Sequence, residues 1–329
     1  MYGALSYLDI ETLSLGSGVS VVGERAMYYC QSLVSANLSS VSTTSLPKDT
    51  FSEDSSLRNL VLPSNLQSIG DYALNRCASL TSINLPSTLT SIGTKAFQCV
   101  PITTISLPSG LKTIGQYAFN ECEELTSFVV PDSVTSIGRY AFMGCVKLES
   151  ITLPFLGNTS SSNRFFGYIF GANSYSQNSN YVPSSLEEVI LSNACTSIPD
   201  YAFYGCSNIT SITIPDSVNQ IGNYAFAGCS VLSSVAIGNG VTSIGNYAFQ
   251  NCTSLVSVII PINVQSIGQY SFEGCASLEG VYYCGLPFDL SIGSNNSKLL
   301  STIYYYSASE PTDASYNYWH YVNGLPTIW

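Results

Sequence analysis

Ten times along the 329-residue chain an Ile-Gly pair, or a close variant of it, returns with the same neighbours. Its first residue falls at Val22, Leu46, Ile69, Ile92, Ile114, Ile137, Ile198, Ile221, Ile244 and Ile267, in steps of 24, 23, 23, 22, 23, 61, 23, 23 and 23. Five residues later comes a large apolar side chain: Met27, Phe51, Leu74, Phe97, Phe119, Phe142, Phe203, Phe226, Phe249 or Phe272. A unit this short cannot enclose its own apolar residues. Stacked copies enclose them jointly, so stability becomes a sum over coils and their interfaces. The chain is therefore expected to form one elongated array.

Each unit reads roughly L-x-x-I-x-I-P-x-x-V-x-x-I-G-x-Y-A-F-x-x-C. Its first part ends in alternation of apolar and polar residues, which is the period of a strand with one buried face. Proline or glycine then ends the strand, because proline has no N–H to give to a ladder. The V-x-x-I-G stretch reads as a second short extended or turn segment. The Ala, Phe and Cys of Y-A-F-x-x-C are spaced as one helical or 3-10 turn would space them. Strand centres are expected near Leu13, Leu38, Leu60, Ile83, Ile105, Phe128, Ile151, Val189, Ile212, Val235, Val258, Val281 and Ile303. At about 4.8 Å per strand they would build a parallel sheet on the order of 60 Å long.

Composition excludes several classes. Only 9% of residues are charged while 45% are hydrophobic, which is not the pattern of a disordered chain. No apolar run is long enough to span a membrane. A net charge of −11 argues against nucleic acid and anionic membrane as partners. The start, MYGALSYLDI, has no basic or apolar leader pattern and suggests a mature fragment or a trimmed chain.

The eleven cysteines have no metal-ligand spacing. Nine of them (Cys30, Cys77, Cys99, Cys122, Cys145, Cys206, Cys229, Cys252 and Cys275) share one repeat position to within a residue, and Asp54 fills it in the second unit. Cys195 replaces a core valine and Cys284 stands where proline usually does. A ladder of buried, free thiols is the better reading, with one isolated disulfide left open. The single histidine, His320, lies in the tail, so neither a Cys–His nor a Ser–His–Asp set is readily built. No catalytic residue, metal site or cofactor is expected.

Binding is the remaining class. The strand positions facing away from the core include Val129, Thr152, Ile190, Thr213, Ala236, Ile259, Tyr282 and Tyr304, a row without charge that becomes more aromatic toward its end. Such a row serves either as a contact surface or simply as residues with strand propensity. Tyr72, Tyr117, Tyr140, Tyr201, Tyr224, Tyr247 and Tyr270 share one position and should stack into a ladder. That ladder either seals the flank or offers an aromatic strip. An insert at about residues 155–185 carries Phe155, Phe165, Phe166, Tyr168, Phe170, Tyr175 and Tyr181. They either anchor it or grip a ligand, with Phe165, Phe166 and Tyr168 the candidates for contact. No Lys or Arg occurs between Arg164 and Lys298, so contact through hydrogen bonds and aromatics is favoured over ion pairing.

The I-P, I-G and A-F-x-x-C signatures recurring in phase resemble the BspA-like form of the leucine-rich repeat, over about residues 8–306. The resemblance implies a right-handed leucine-rich-repeat solenoid of the α/β horseshoe class. It would be mostly β with short helical or 3-10 turns and would carry its parallel sheet on the concave face. One domain would span residues 1–329, with about 307–329 as a C-terminal cap. The resemblance also implies a non-enzymatic bacterial surface or secreted protein that adheres to an extracellular protein or glycan. The alternative is a passive spacer within a larger surface protein.

Overall fold

The computed structural model describes residues 3–162, 164–309, 311, 316–322 and 325–328. The backbone winds as a parallel-strand β-solenoid of about thirteen turns. Two ladders of strands run along it. The first takes its strands from the L-x-x-I-x-I stretches. It runs in three stretches: Thr12–Ser14, Ser35–Asn37 and Asn59–Val61; then Ser127–Val129, Ser150–Leu153, Glu188–Leu191, Ser211–Ile214 and Ser234–Ile237; then Ser257–Ile260, Gly280–Tyr283 and Ile303–Tyr306. The second is built from the Ile-Gly pairs, two residues per coil, from Ser45–Leu46 to Ser136–Ile137 and from Gln220–Ile221 to Ser291–Ile292. Ile198 joins it through a single bridge to Ile221.

Two details of the expected strands differ. The second strand centres on Ala36, opposite Leu13 and Leu60, rather than on Leu38. No strand forms at Ile83 or Ile105, although both coils keep their Ile-Gly ladder at Ser91–Ile92 and Thr113–Ile114. Ile83, Leu85, Ile105 and Leu107 are only half-buried, whereas Ile212 and Ile214 at the equivalent positions are each 2% exposed. The coils are held together here by the opposite flank.

That flank is not helical. The residue three after each Ile-Gly anchor is left-handed whatever its type: Arg25, Asp49, Lys95 and all seven ladder tyrosines have φ between 54° and 63°. The residue four further on is left-handed too, as at Arg76, Cys99, Glu121, Gly144, Gly205, Gly228, Asn251 and Gly274. This costs roughly 1–2 kcal/mol for each residue with a Cβ. In return, alternate N–H groups point along the solenoid axis. Lys95, Phe97 and Cys99 donate to the carbonyls of Gln116, Ala118 and Asn120 at 2.8–2.9 Å, while Gln98 and Val100 close turns onto Lys95 and Phe97 at 3.2 Å. A helical turn would direct every N–H back along its own coil and leave the coil-to-coil bonds unmade.

The core beneath is a column of phenylalanines. Phe203, Phe226, Phe249 and Phe272 stack at 5.1–5.3 Å between centroids, each at most 1% exposed. Full burial of each such ring contributes about 1.5–3 kcal/mol.

Candidate recognition surface

The outward row of the first ladder lies in register. Thr152 pairs with Val129 and Ile190, Thr213 with Ile190 and Ala236, and Tyr282 with Ile259 and Tyr304. Val129 is 59% and Ile259 38% exposed. Thr213 and Ala236 are exposed, and Thr152, Ile190, Tyr282 and Tyr304 half-buried. At the end of the row Tyr282 stacks on Tyr304 at 5.6 Å and meets Trp319 edge-on at 5.4 Å. Trp319 is fully buried and donates its indole N–H to the Tyr283 carbonyl at 3.0 Å. It lies in Tyr318–Val322, which extends the sheet in parallel and turns back through Leu325–Ile328. His320 sits in that hairpin opposite Thr327.

The insert is a coil in its own right. Ser150–Leu153 pairs directly with Glu188–Leu191, so the residues between them replace the ordinary return of one coil rather than adding to it. Phe170 packs 6.3 Å from Phe142, and Phe166 5.0 Å from Phe203. The two therefore bridge the phenylalanine column across the break. Phe166 is thus not a contact residue: it is fully buried, because the column loses its continuity without it. Phe155 is buried as well, and Phe165 and Tyr168 are half-buried against each other, edge-on at 6.0 Å. Asn178, fully buried, pins the loop. Its Oδ1 accepts the Gly167 N–H at 2.9 Å, and its Nδ2 donates to the carbonyls of Ala202 and Tyr204 at 3.2 Å. Nothing in the sequence marks this asparagine among its polar neighbours.

The tyrosine ladder forms as near-parallel stacks. Tyr201, Tyr224, Tyr247 and Tyr270 are spaced 4.5–4.9 Å at 5–7°, and Tyr117 and Tyr140 stack at 4.6 Å. All are half-buried, so they pack the flank. Lys95 takes the rung between Tyr72 and Tyr117, with its ammonium 5.4 and 5.3 Å from their ring centres.

The thiols are free, and nine of the eleven are buried. Cys77, Cys122, Cys145, Cys229, Cys252 and Cys275 each donate to a carbonyl of the preceding coil at 3.0–3.2 Å. Burial pushes Cys77, Cys122, Cys229 and Cys252 well above the usual thiol range, and Cys145 up to about 12. Such thiols are poor nucleophiles. Cys99 belongs to a different slot. It occupies the second left-handed position, Val100 fills the core behind it, and its Sγ lies 3.1 Å from Glu121 Oε2. Among the described residues, no group of three or more His, Cys, Asp or Glu could hold a metal ion. No helix among them is long and apolar enough to cross a membrane.

The model of the BspA type leucine rich repeat region matches residues 2–100, 44–170 and 173–295. No curated protein matches the chain by sequence. Among solved structures, the chain is similar to a leucine-rich repeat protein from Bacteroides ovatus, at 27% identity over 92% of this chain and 88% of that one, with a TM-score of 0.46. It is also similar to a leucine rich cell surface protein from Faecalibacterium prausnitzii, at 23% identity over 92% and 83%, TM-score 0.33. A third similarity is to the pneumococcal vaccine antigen PcpA, at 17% identity over 92% and 79%, TM-score 0.33.

Proposed function

The chain belongs to the BspA-type leucine-rich-repeat family, and from that premise we propose that it is a non-enzymatic recognition module. It is exposed at a bacterial cell surface or secreted, and adheres to an extracellular protein or glycan. Residues 1–329 act as one solenoid unit. The observation that carries this reading is the outward row, in register from Val129 to Ala236 and again from Ile259 to Tyr304. It is uncharged and open or half-open to solvent, with aliphatic residues such as Val129 and Ile259 left exposed. Exposed apolar side chains aligned on a rigid sheet support contact with a macromolecule. The burial of most thiols argues against a cysteine nucleophile. The lack of basic residues between Arg164 and Lys298 supports a partner met through neutral contacts.

The test is binding of the chain to immobilised extracellular-matrix proteins and glycans, beside variants Thr213→Arg and Ile259→Arg. Both positions are exposed, so the variants should fold. Saturable binding weakened by either variant supports the strand face. Binding to nothing across the panel would favour the passive spacer instead.

A further inference from the structure

The insert does more than bridge the core, because it also alters the end of the tyrosine ladder. Tyr175 stacks on Tyr201 at 4.1 Å and 21°, and so supplies the rung that the interrupted repeat lacks. Tyr204, on the next regular coil, stands edge-on to both, 5.7 Å from Tyr175 and 5.9 Å from Tyr201. Along the ladder proper the rings cover one another. Here two remain open, Tyr175 at 39% and Tyr204 at 37%. Tyr181, closing the same loop, is 37% exposed.

The loop's own side chains are neutral; the charges that border it include Arg139, which donates to the Gly171 carbonyl at 2.6 Å, and Asp200 beside Tyr201. Residues 165–186 contain no charged side chain, and Asn173, Ser176, Ser179 and Asn180 are exposed beside the tyrosines. The platform is also held in place. Asn178 and the buried Phe166 and Phe170 lie under it, and Gln177 Oε1 accepts the Asn173 N–H at 2.8 Å. Preorganised aromatic rings ringed by amides and hydroxyls suit a ligand with apolar C–H faces and many neutral hydroxyls. A charged ligand would find no counter-charge on the loop.

We propose that Tyr175 and Tyr204, with the amide-rich loop 173–180, form a subsite for a neutral oligosaccharide. This deepens the recognition role and rests on it.

The full chain would be titrated with neutral β-linked gluco-, xylo- and mannooligosaccharides and N-acetyllactosamine chains, followed by calorimetry or tyrosine fluorescence. Tyr175→Ala and Tyr204→Ala would be compared with Tyr247→Ala, which removes a stacked ring far from the loop. Stacking energies of the usual size predict about a tenfold loss for each of the first two and no change for the third. Tyr204→Ala lies outside the insert, so it still tests the site if Tyr175→Ala loosens the loop. Thermal melts of all three variants report folding. Equal affinity in Tyr204→Ala and wild type overturns the subsite, as does failure of every neutral glycan to bind. Failure of every neutral glycan to bind, together with a protein ligand whose binding is lost in Ile259→Arg, would overturn the subsite while leaving the recognition role standing.

Discussion

Asp54 accepts the backbone N–H of Cys30 at 2.6 Å, from the slot where most other coils place a thiol. The carboxyl is fully buried, and its second oxygen has no hydrogen-bond partner among the described residues. Burial pushes its pKa up to about 8, against the pull of the Cys30 N–H. In an unfolded chain the same group titrates near ~3.9. The folded form therefore holds a proton that the unfolded form has lost between those values. The stabilisation is complete below ~pH 4 and declines as pH rises through about 8. Urea midpoints should fall between pH 5 and pH 9, and Asp54→Cys should flatten that fall. A wild-type profile as flat as that of Asp54→Cys would show the carboxyl to be unperturbed.

Thiol labelling without denaturant should reach Cys99 and Cys284 first, since only these two are not buried. Cys99 should still react slowly. Burial and then the Glu121 carboxylate hold its pKa up at about 11, and the thiolate is the reactive form. Glu121→Gln should speed its modification, as followed by peptide mass mapping. Rapid labelling of most of the eleven thiols would contradict the buried ladder.

Backbone hydrogen exchange should be uneven along the first ladder. The amides of Asn84, Leu85, Ser106 and Leu107 have no coil-to-coil hydrogen bond among the described contacts. Those of Ser150–Leu153 and Ser211–Ile214 lie within the ladder. Exchange measured by mass spectrometry should be fast over 81–86 and 102–108 and slow over 150–153 and 211–214. Uniform protection would mean that the ladder closes in solution.

Asn178→Ala removes three hydrogen bonds and leaves the Gly167 N–H buried without its acceptor. Stranding such groups costs about 2–3 kcal/mol. The melting temperature should drop, and proteolysis should begin within 165–186. An unchanged melting curve would mean that the phenylalanines alone hold the insert.

The repeat register, the buried phenylalanine column, the thiol positions and the outward strand row were all legible in the residues. Each depends on a periodicity that one coil shares with the next. Where a side chain's role came from its place in the stack, the pattern misled. Cys99 reads as a core thiol until the left-handed turn places Val100 behind it. Ile83 and Ile105 read as strands but lack ladder partners.

The sequence by itself determined that this chain stacks, with which period, and most of the residues that face inward, because in a regular solenoid burial follows largely from spacing. It could not decide the flank or the insert. Six of the seven ladder tyrosines, Tyr140 excepted, donate their N–H to a carbonyl on a neighbouring coil from this left-handed backbone, a gain visible only once coils are stacked. Of the insert's aromatics, Phe166 went inward and Tyr175 stayed open, because the phenylalanine column had a gap to fill at that point. Composition could not assign those places, since the gap belongs to the assembled coils and not to any one of them.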